Sequence, residues 1–294
     1  NVFGYDVHGF TIVNQDQRYD EWAFVQHAVE TQGLRHTAIP LSTADFLPQL
    51  RTLVRQHDAP VYTISYYVHW LLMKSVAAHG YRIAISGTGA DELFSGYYDH
   101  HNLYLAAVAD DPARFEAALA GWQQHIAPLV RNPFLQNPRV FIDNPALRDH
   151  IYLNAADFAA YLYDGWAEPF AEAEYTDNLL RNRMLNELFH EAVPVILHED
   201  DLNAMYYSIE NRSPFLDRHL FDCCQRVPTR HLIRDGAAKA VLRDALRGIA
   251  PDVILDNRRK VGFNAPIFDL LDRRDPAVRA YLLDDSPIYA HVRR

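Results

Sequence analysis

The sequence predicts an α/β fold in which a parallel-sheet core is followed by a mainly helical half. Segments rich in β-branched residues alternate with helical patterns over residues 1–101, as in a parallel sheet with crossover connections. A glycine turn near residue 87 joins an apolar strand to a helix, which is where open α/β sheets bind ligands. From about Asn102 the pattern changes to helices only. We therefore treat residues 1–294 as one domain, with an α/β core (1–101) and a helical portion (102–294).

Composition narrows the class of protein. The chain has 294 residues, 49% apolar and 22% charged, which is ordinary for a globular protein with a large core. A net charge of −10 argues against nucleic acid as a partner, since binding phosphates without sequence preference needs clustered Lys and Arg. No apolar run approaches the ~18 residues of a membrane span, so no membrane partner is expected. The two cysteines are adjacent and no signal peptide is visible, so we expect a reduced, cytoplasmic compartment.

In the core, turns and helix ends are marked by glycine and proline. Gly33 ends the first predicted helix, Pro60 breaks the chain between the next two, and Gly80 ends the third. The first strand alternates and is rich in β-branched residues, and the last one is a short apolar run. The predicted elements in chain order are strand 5–13, helix 21–31, strand 35–41, helix 42–57, helix 64–79 and strand 83–85.

The rest of the chain shows helical spacing without strand patterns. A stretch containing Pro and Asn, residues 128–145, separates two groups of helices. Later segments that carry Asp201 and Lys239 are also predicted to be helical. The other predicted helices are 103–108, 112–125, 149–163 and 174–190.

The stretch SGTGADELFSGYY, residues 86–98, follows the last core strand directly. Two glycines and the hydroxyls of Ser86 and Thr88 allow a tight turn that brings backbone N–H groups close to an anion or a ribose. Asp91 and Glu92 then lie in the first turn of a helix, where the helix dipole stabilises carboxylates and where a bound Mg²⁺ would meet a phosphate. The alternative is an ordinary strand-to-helix connection with an acidic helix start.

A second dense stretch runs over residues 196–217. Asp201, Met205 and Ser208 share roughly one helical face, so a carboxylate, a thioether and a hydroxyl would face one cleft. Glu210 and Arg212 flank a turn set by the following proline. The alternative is a helix with capping acids and an internal ion pair.

A third stretch, residues 232–243, has a glycine loop with Lys239 at the opening of an amphipathic helix and Arg243 one turn later. The basic run 258–260 precedes a further glycine and proline loop. A lysine on a helix is most often a solvated surface charge. The sequence has fifteen histidines but no HExxH motif, and it has no paired CxxC motif. A zinc site is therefore not predicted. No GxSxG elbow supports a serine hydrolase.

These stretches together resemble the synthetase domain of the glutamine-dependent asparagine synthetase family. SGTGADELFSGYY resembles the family's SGEGxDELFGGY signature, and residues 236–243 and 258–266 resemble its GxxKxxLR and KxGF…P segments. The second stretch resembles RxDrxSMxxSxExRxPFLD, with Glu199 where the family more often has Arg. The positions that match it are Asp201, Met205, Ser208, Glu210, Arg212, Pro214, Phe215, Leu216 and Asp217.

The resemblance implies an ATP-pyrophosphatase fold, in which residues 1–101 form the nucleotide-binding core and residues 102–294 complete the active-site cleft. It also implies the activity of a carbon–nitrogen ligase. ATP and a carboxylate would give an acyl-adenylate and pyrophosphate, and ammonia would then displace AMP. The implied cofactors are ATP and Mg²⁺, with a small-molecule carboxylate as substrate and a glutaminase domain as ammonia source; a homodimer is also allowed. The implied roles are catalysis by Lys239, Thr88 and Glu92, nucleotide binding by Ile12, Ser86, Gly87 and Gly89, a metal bound by Asp91, and substrate binding by Asp201, Ser208, Glu210 and Arg212.

Two departures from the family shape these expectations. The family's SGGxDSS pyrophosphate loop and its glutaminase domain, both expected before the strand with Ile12, are not in the sequence, so we expect these residues alone to be inactive. Thr88 stands where the family's SGEG has glutamate, and threonine is no general base at neutral pH. The acceptor is therefore open between aspartate and another carboxylate, such as a uronic acid of a surface polysaccharide. The alternatives are a non-catalytic nucleotide-binding scaffold and an unrelated α/β domain that binds a phosphate metabolite.

Overall fold

The structure, a computed structural model, describes residues 6–13, 21–42, 45–151, 155–164, 171–260, 262, 265, 267–284 and 286–293. The described strands are β1 (His8–Val13), β2 (Arg35–Pro40), β3 (Ile83–Ile85) and β4 (Glu210–Arg212). The described helices are α1 (Trp22–Gln32), α2 (Phe46–His57), α3 (Ile64–Ala78), α4 (Ala90–Phe94), α5 (Tyr98–Ala107), α6 (Pro112–His125), α7 (Val140–Asp143), α8 (Ala155–Ala159), α9 (Leu179–Phe189), α10 (Ala192–Tyr206), α11 (Arg218–Arg226), α12 (Ala240–Ala245), α13 (Asp252–Leu255), α14 (Ile267–Leu270) and α15 (Pro276–Leu283).

Two short parallel sheets form the β structure of the described residues. β1 pairs with β2, with Ile12 opposite Ile39, and β3 pairs with β4, with Ile85 opposite Arg212. Both sheets contact one apolar cluster, in which the buried Met73 of α3 and Ala204 of α10 take part. α3 and α10 thus hold both sheets around a common interior.

The order of elements in the core agrees with the sequence prediction, and the chemistry of the turns explains why. Gly33 ends α1 in the left-handed region at φ 62° and donates its N–H to the carbonyl of Val29. Thr63 begins α3 by accepting a hydrogen bond from the N–H of Ser65. The predicted α/β class with parallel pairing is therefore confirmed at this coarse level.

Four predictions for the later part of the chain are wrong. The prediction of helices only after Asn102 missed β4, which completes the sheet begun by β3. Glu210 and Arg212 lie in this strand rather than on either side of a turn. The predicted helix 149–163 is reduced to α8 among the described residues, and the predicted helix from residue 174 begins only at Leu179, because Asn178 caps it. A strand of three residues is too short for periodicity to reveal.

The main apolar cluster lies in the helical portion. It is built from α5, α6 and α9 and includes the fully buried Leu103, Leu105, Ile126 and Leu180. None of the described helices combines the length and apolar composition that a membrane crossing requires.

Next to this cluster, α5 and α9 bury a network of charges. Arg183 of α9 contacts the carboxylates of Asp99, Glu172, Glu187 and Glu191, all at 2.8–3.6 Å. Ligand-type atoms of Asp99, His100 and Glu187 lie within 4.8 Å of one another, an arrangement that could hold a metal ion. Here Arg183 pairs with both Asp99 and Glu187, and His100 pairs with Glu187, so protein groups already occupy these ligand atoms. Its further members are Arg148, which binds Glu172, and His150, which contacts Asp99.

Candidate functional site

The predicted glycine turn lies where β3 and β4 both end. The N–H of Ser86 donates to the carbonyl of Arg212 at 2.8 Å, and the hydroxyl of Ser86 lies 3.1 Å from that of Ser213 and 3.2 Å from that of Thr88. The structure therefore brings Ser86 and Thr88 together and adds Ser213, which the sequence analysis did not select. Three hydroxyl groups line the turn at the carboxyl end of a parallel strand pair, the usual position of a ligand.

The turn combines one position that requires glycine with backbone N–H groups that remain open. Gly89 has φ 93°, and a Cβ there would lie 2.4 Å from Cδ2 of Leu216. No acceptor within the described part of the chain takes the backbone N–H of Gly87, Thr88 or Gly89. Successive N–H groups of this kind form a concave site for an anion.

Asp91, in the first turn of α4, is the centre of a charge cluster. Its Oδ1 lies 2.8 Å from Nζ of Lys239, and its Oδ2 accepts a hydrogen bond from Nζ of Lys260 at 2.9 Å. Burial disfavours ionisation of Asp91, but the ammonium groups of Lys260 and Lys239 outweigh it and hold the pKa of this carboxyl below its usual range. One carboxylate with two ammonium groups leaves a net positive charge, which favours a phosphate.

This cluster uses two of the three lysines in a chain that has 28 basic residues. The sequence analysis predicted a role for Lys239 and left Lys260 in a basic run. The scarcity of lysine was the signal for Lys260, because a compact ammonium is a point charge that arginine does not reproduce.

The backbone around the cluster is shaped to hold it. A Cβ on Gly96 would lie 1.6 Å from Oδ1 of Asp91, so only glycine leaves room for the carboxylate at this bend. Lys239 has φ 57° directly before α12, an uncommon conformation for a residue with a side chain. Arg243 stabilises this loop by donating to the carbonyls of Ala238 and Leu255, both at 2.6 Å.

Glu92, the second acid of the motif, is 3% exposed. It accepts a hydrogen bond from the hydroxyl of Tyr97, and Nζ of Lys260 lies 5.5 Å from the centre of the Tyr97 ring. Burial, and after it the charge of Glu92, raises the pKa of Tyr97 above its usual range, so this phenol stays a donor. Glu92 thus lies behind the Asp91 cluster and supports it through Tyr97 and Lys260.

A carboxylate that the sequence analysis missed, Asp200 of α10, lies behind Thr88. Its Oδ2 is 3.4 Å from the Thr88 hydroxyl, which donates to it, and 3.4 Å from the donating Nδ2 of Asn211. Burial raises the pKa of Asp200 to about 6, and the hydrogen bond from Thr88 opposes this rise only in part. A carboxylate of this pKa can accept a proton near neutral pH.

The side chain of Asp200 also faces a chain of buried polar groups. Its Oδ1 lies 3.5 Å from Nδ1 of His69, and that nitrogen is 3.2 Å from Nδ2 of Asn203. Oδ1 of Asn203 is 2.9 Å from Nε2 of His57, whose Nδ1 lies 2.8 Å from Glu199. The family departure at Glu199 therefore coincides with a buried contact between this carboxyl group and the His57 ring.

The remaining predicted site residues do not join the Asp91 cluster through any contact among the described residues. Asp201 is exposed and Ser208, just after α10, has φ 56°. Glu210 and Arg212 pair with each other at 2.9 Å with more than half of each side chain exposed. Ile12 lies in β1, in the other sheet.

Comparison with known proteins gives a consistent result. The family model described as asparagine synthase matches residues 3–289. The chain is 24% identical over 277 residues to asparagine synthetase [glutamine-hydrolyzing] 1 of Bacillus subtilis, a match over 88% of this chain and 42% of that protein. It is 27% identical over 273 residues to a putative asparagine synthetase [glutamine-hydrolyzing] of Mycobacterium bovis, over 88% of this chain and 41% of the relative. Amidase chry2 of Gibberella zeae is 23% identical over 279 residues, 79% of this chain and 41% of its own. The chain thus spans less than half the length of these relatives.

Proposed function

The chain belongs to the asparagine synthase family, and we propose that it is the synthetase portion of an ATP-dependent amidotransferase. A substrate carboxylate attacks the α-phosphorus of ATP, pyrophosphate leaves with its bonding electron pair, and an acyl-adenylate forms. Ammonia then adds to the acyl carbon and AMP leaves, which gives the amide. The observation that carries the proposal is the convergence of Lys239 and Lys260 on Asp91 beside the glycine turn.

The turn fits the nucleotide. The N–H groups of Gly87, Thr88 and Gly89 and the hydroxyl of Ser86 supply donors for phosphate or ribose oxygens. Ile12 is proposed to meet the adenine, and an ATP-pyrophosphatase fold would bring its strand to the same cleft. This fold also has a further strand and a pyrophosphate loop, and neither is among the described elements.

The charge cluster fits phosphates with Mg²⁺. The ion binds one or two carboxylates together with phosphate oxygens, and Asp91 would hold it. When bound, Mg²⁺ offsets negative charge on the phosphates. Lys239 and Lys260 stabilise the charge that develops on the α-phosphate and on the leaving pyrophosphate, and their contacts with Asp91 hold both ammonium groups in place for this.

Asp200 is proposed as the proton acceptor for amide formation. As the nitrogen–carbon bond forms, the nitrogen becomes positively charged and must lose a proton. The Thr88 hydroxyl can pass this proton on, giving its own to Oδ2 of Asp200. Thr88 has no basicity of its own, so the carboxylate behind it supplies the base that the motif lacks.

The acceptor carboxylate and the ammonia source are also proposals. Aspartate and a sugar acid both carry the required carboxylate, and Thr88 leaves more room than glutamate would. Glutamine hydrolysis by a glutaminase domain is the proposed source of ammonia. Asp201, Ser208, Glu210 and Arg212 stay proposed substrate contacts.

The test measures carboxylate-dependent release of pyrophosphate from Mg-ATP by the full-length protein. Aspartate is offered first and then a panel of uronic acids, each with and without ammonia. Release is expected with one of them, lost in Lys239→Ala and kept in Lys74→Ala, whose exposed lysine lies on α3. ATP binding without release for any acid would contradict the proposal and favour a nucleotide-binding scaffold.

A further inference from the structure

The orientation of the Asn203 side chain is settled by its surroundings. Asn203 is fully buried, and its Nδ2 donates to the backbone carbonyl of Tyr66 at 3.1 Å. The reverse orientation would place two acceptor oxygens against each other. Oδ1 of Asn203 therefore accepts from Nε2–H of His57 at 2.9 Å, and Nδ2 has its second hydrogen directed at His69.

This orientation fixes the protonation of His69. Nδ1 of His69 lies 3.2 Å from the donating Nδ2 of Asn203, so it must be the unprotonated nitrogen of the ring. Burial lowers the pKa of His69 to about 4, which keeps the imidazole neutral at pH 7. His69 is therefore the Nε2–H tautomer, and its Nδ1 cannot donate to Asp200.

Asp200 is consequently short of donors on one side. Its Oδ1 faces the lone pair of His69 Nδ1 at 3.5 Å, while the two donors that the described residues supply, Thr88 and Asn211, reach Oδ2. Other ionisable groups of the described residues near it are its chain neighbours Glu199 and Asp201 and Tyr66 of α3, whose phenol has a pKa raised to about 12 by burial and by the charges of Glu199 and Asp200. Glu199 is itself paired with His57.

We propose that Asn203 and His69 are positioning residues that act through Asp200: they withhold a hydrogen-bond donor from its Oδ1 and so keep this carboxylate a strong proton acceptor. A carboxylate that receives fewer hydrogen bonds in its ionised form is more basic. The proposal rests on the proposed function for its catalytic meaning, whereas the tautomer and the basicity can be measured without substrate.

The first experiment records ¹⁵N spectra of histidine and ¹³C spectra of aspartate carboxyl groups in the full-length protein between pH 5 and 8. His69→Gln and Asp200→Asn assign the two signals. Nδ1 of His69 is expected to show the shift of an unprotonated nitrogen, and Asp200 is expected to titrate near pH 6. A protonated Nδ1 would overturn the proposal.

The second experiment compares two replacements of His69. Glutamine can donate its amide N–H to Oδ1 of Asp200, so we expect the titration of Asp200 to move down by about one pH unit. Leucine brings no donor, so His69→Leu should leave the pH at which Asp200 titrates unchanged or raise it. Equal shifts in both variants would show that His69 acts only by filling space, which contradicts the proposal.

The pH dependence of activity distinguishes the proposed function from the role assigned to Asn203 and His69. In the full-length protein, the rate of amide formation should fall as the pH drops through the pKa of Asp200. The midpoint of this acid limb should shift with that pKa in wild type, His69→Gln and His69→Leu. If no acid supports pyrophosphate release, the proposed function fails while the NMR result stands. If activity is present but its acid limb ignores these shifts, the role assigned to Asn203 and His69 is wrong.

Discussion

At the scale of single residues, the site depends on ammonium groups rather than guanidinium groups. Arginine supplies most of the basic residues, yet the two side chains that meet Asp91 are lysines. Each ammonium reaches one carboxylate oxygen as a point charge, and a planar guanidinium in the same space would bind both oxygens at once.

We predict that Lys239→Arg and Lys260→Arg each lower the rate of pyrophosphate release about a hundredfold or more, although the charge is kept. Lys74→Arg is the matched control, because Lys74 is exposed and its ammonium lies over the ring of Trp70. Steady-state kinetics of the three variants check this. Full activity in both site variants would mean that only net charge matters there.

A second prediction at this scale concerns the stability cost of Asp200. Its pKa is raised from 3.8 to about 6 in the folded protein, so folding favours the protonated form. The destabilisation is absent below pH 4, grows as the pH rises, and is complete above about pH 6. Asp200→Asn should therefore raise the free energy of unfolding by about 1–3 kcal/mol at pH 8 and change it little at pH 4.

Thermal or urea unfolding at both pH values measures this difference. A stabilisation that is equal at pH 4 and pH 8 would show that the titration of Asp200 is not its source. Asp222→Asn on α11 is the control, because no ion pair or hydrogen bond within the described part of the chain reaches that carboxyl.

At the scale of elements, the helix α10 shows what the sequence could not reveal. The pattern placed Met205 on the inner face and therefore selected Asp201. In the structure Met205 is 56% exposed, while Ala204 is fully buried. Asp200 precedes Ala204 by four residues and therefore lies about one turn earlier on the same face of α10. Because α10 is apolar on several sides, hydrophobic periodicity does not identify its buried face. Packing against α3 and β4 determines which face is buried.

Other elements of the site were predictable for clear physical reasons. Glycines, a strand and an acidic helix start are local features, and they identified Ser86 and Asp91 correctly as neighbours of one turn. Lys260 and Asn203 join the site through contacts more than a hundred residues apart in sequence. Such contacts depend on the tertiary fold.

The bend between α4 and α5 supports a prediction at this scale. Gly96→Ala should displace the Asp91 carboxylate from both lysines, because the new Cβ would occupy the position of Oδ1. We expect loss of ATP-dependent pyrophosphate release with the fold retained. Gly80→Ala is the comparison: it strains a backbone at φ +83° but meets no atom within 4 Å, so it should reduce stability and leave activity. Retained activity in Gly96→Ala would contradict this account.

At the scale of the whole molecule, two small sheets and a helical portion are held together by α3, α9 and α10. The buried charges around Arg183 link α5 to α9 and lie one helix away from the Asp91 cluster, since α9 also packs on α4. The asparagine synthase family relationship covers all of these elements.

Removing Arg183 should therefore test how the whole fold is held. Arg183→Met leaves buried carboxylates without their shared partner and is expected to lower the free energy of unfolding by about 3–5 kcal/mol. Arg139→Met removes an exposed pair with Asp143 and should change it by less than about 1 kcal/mol. Urea unfolding compares the two, and similar small effects would show that the network contributes little.

The most direct measurement of the central claim follows an oxygen atom. The carboxylate that supports pyrophosphate release is labelled with ¹⁸O, and the nucleotide products of the full-length protein are analysed by mass spectrometry. An acyl-adenylate predicts that one ¹⁸O appears in AMP, with no label in inorganic phosphate, and that Lys239→Ala loses this transfer. Label in inorganic phosphate together with ADP would show activation through an acyl phosphate and would contradict the account.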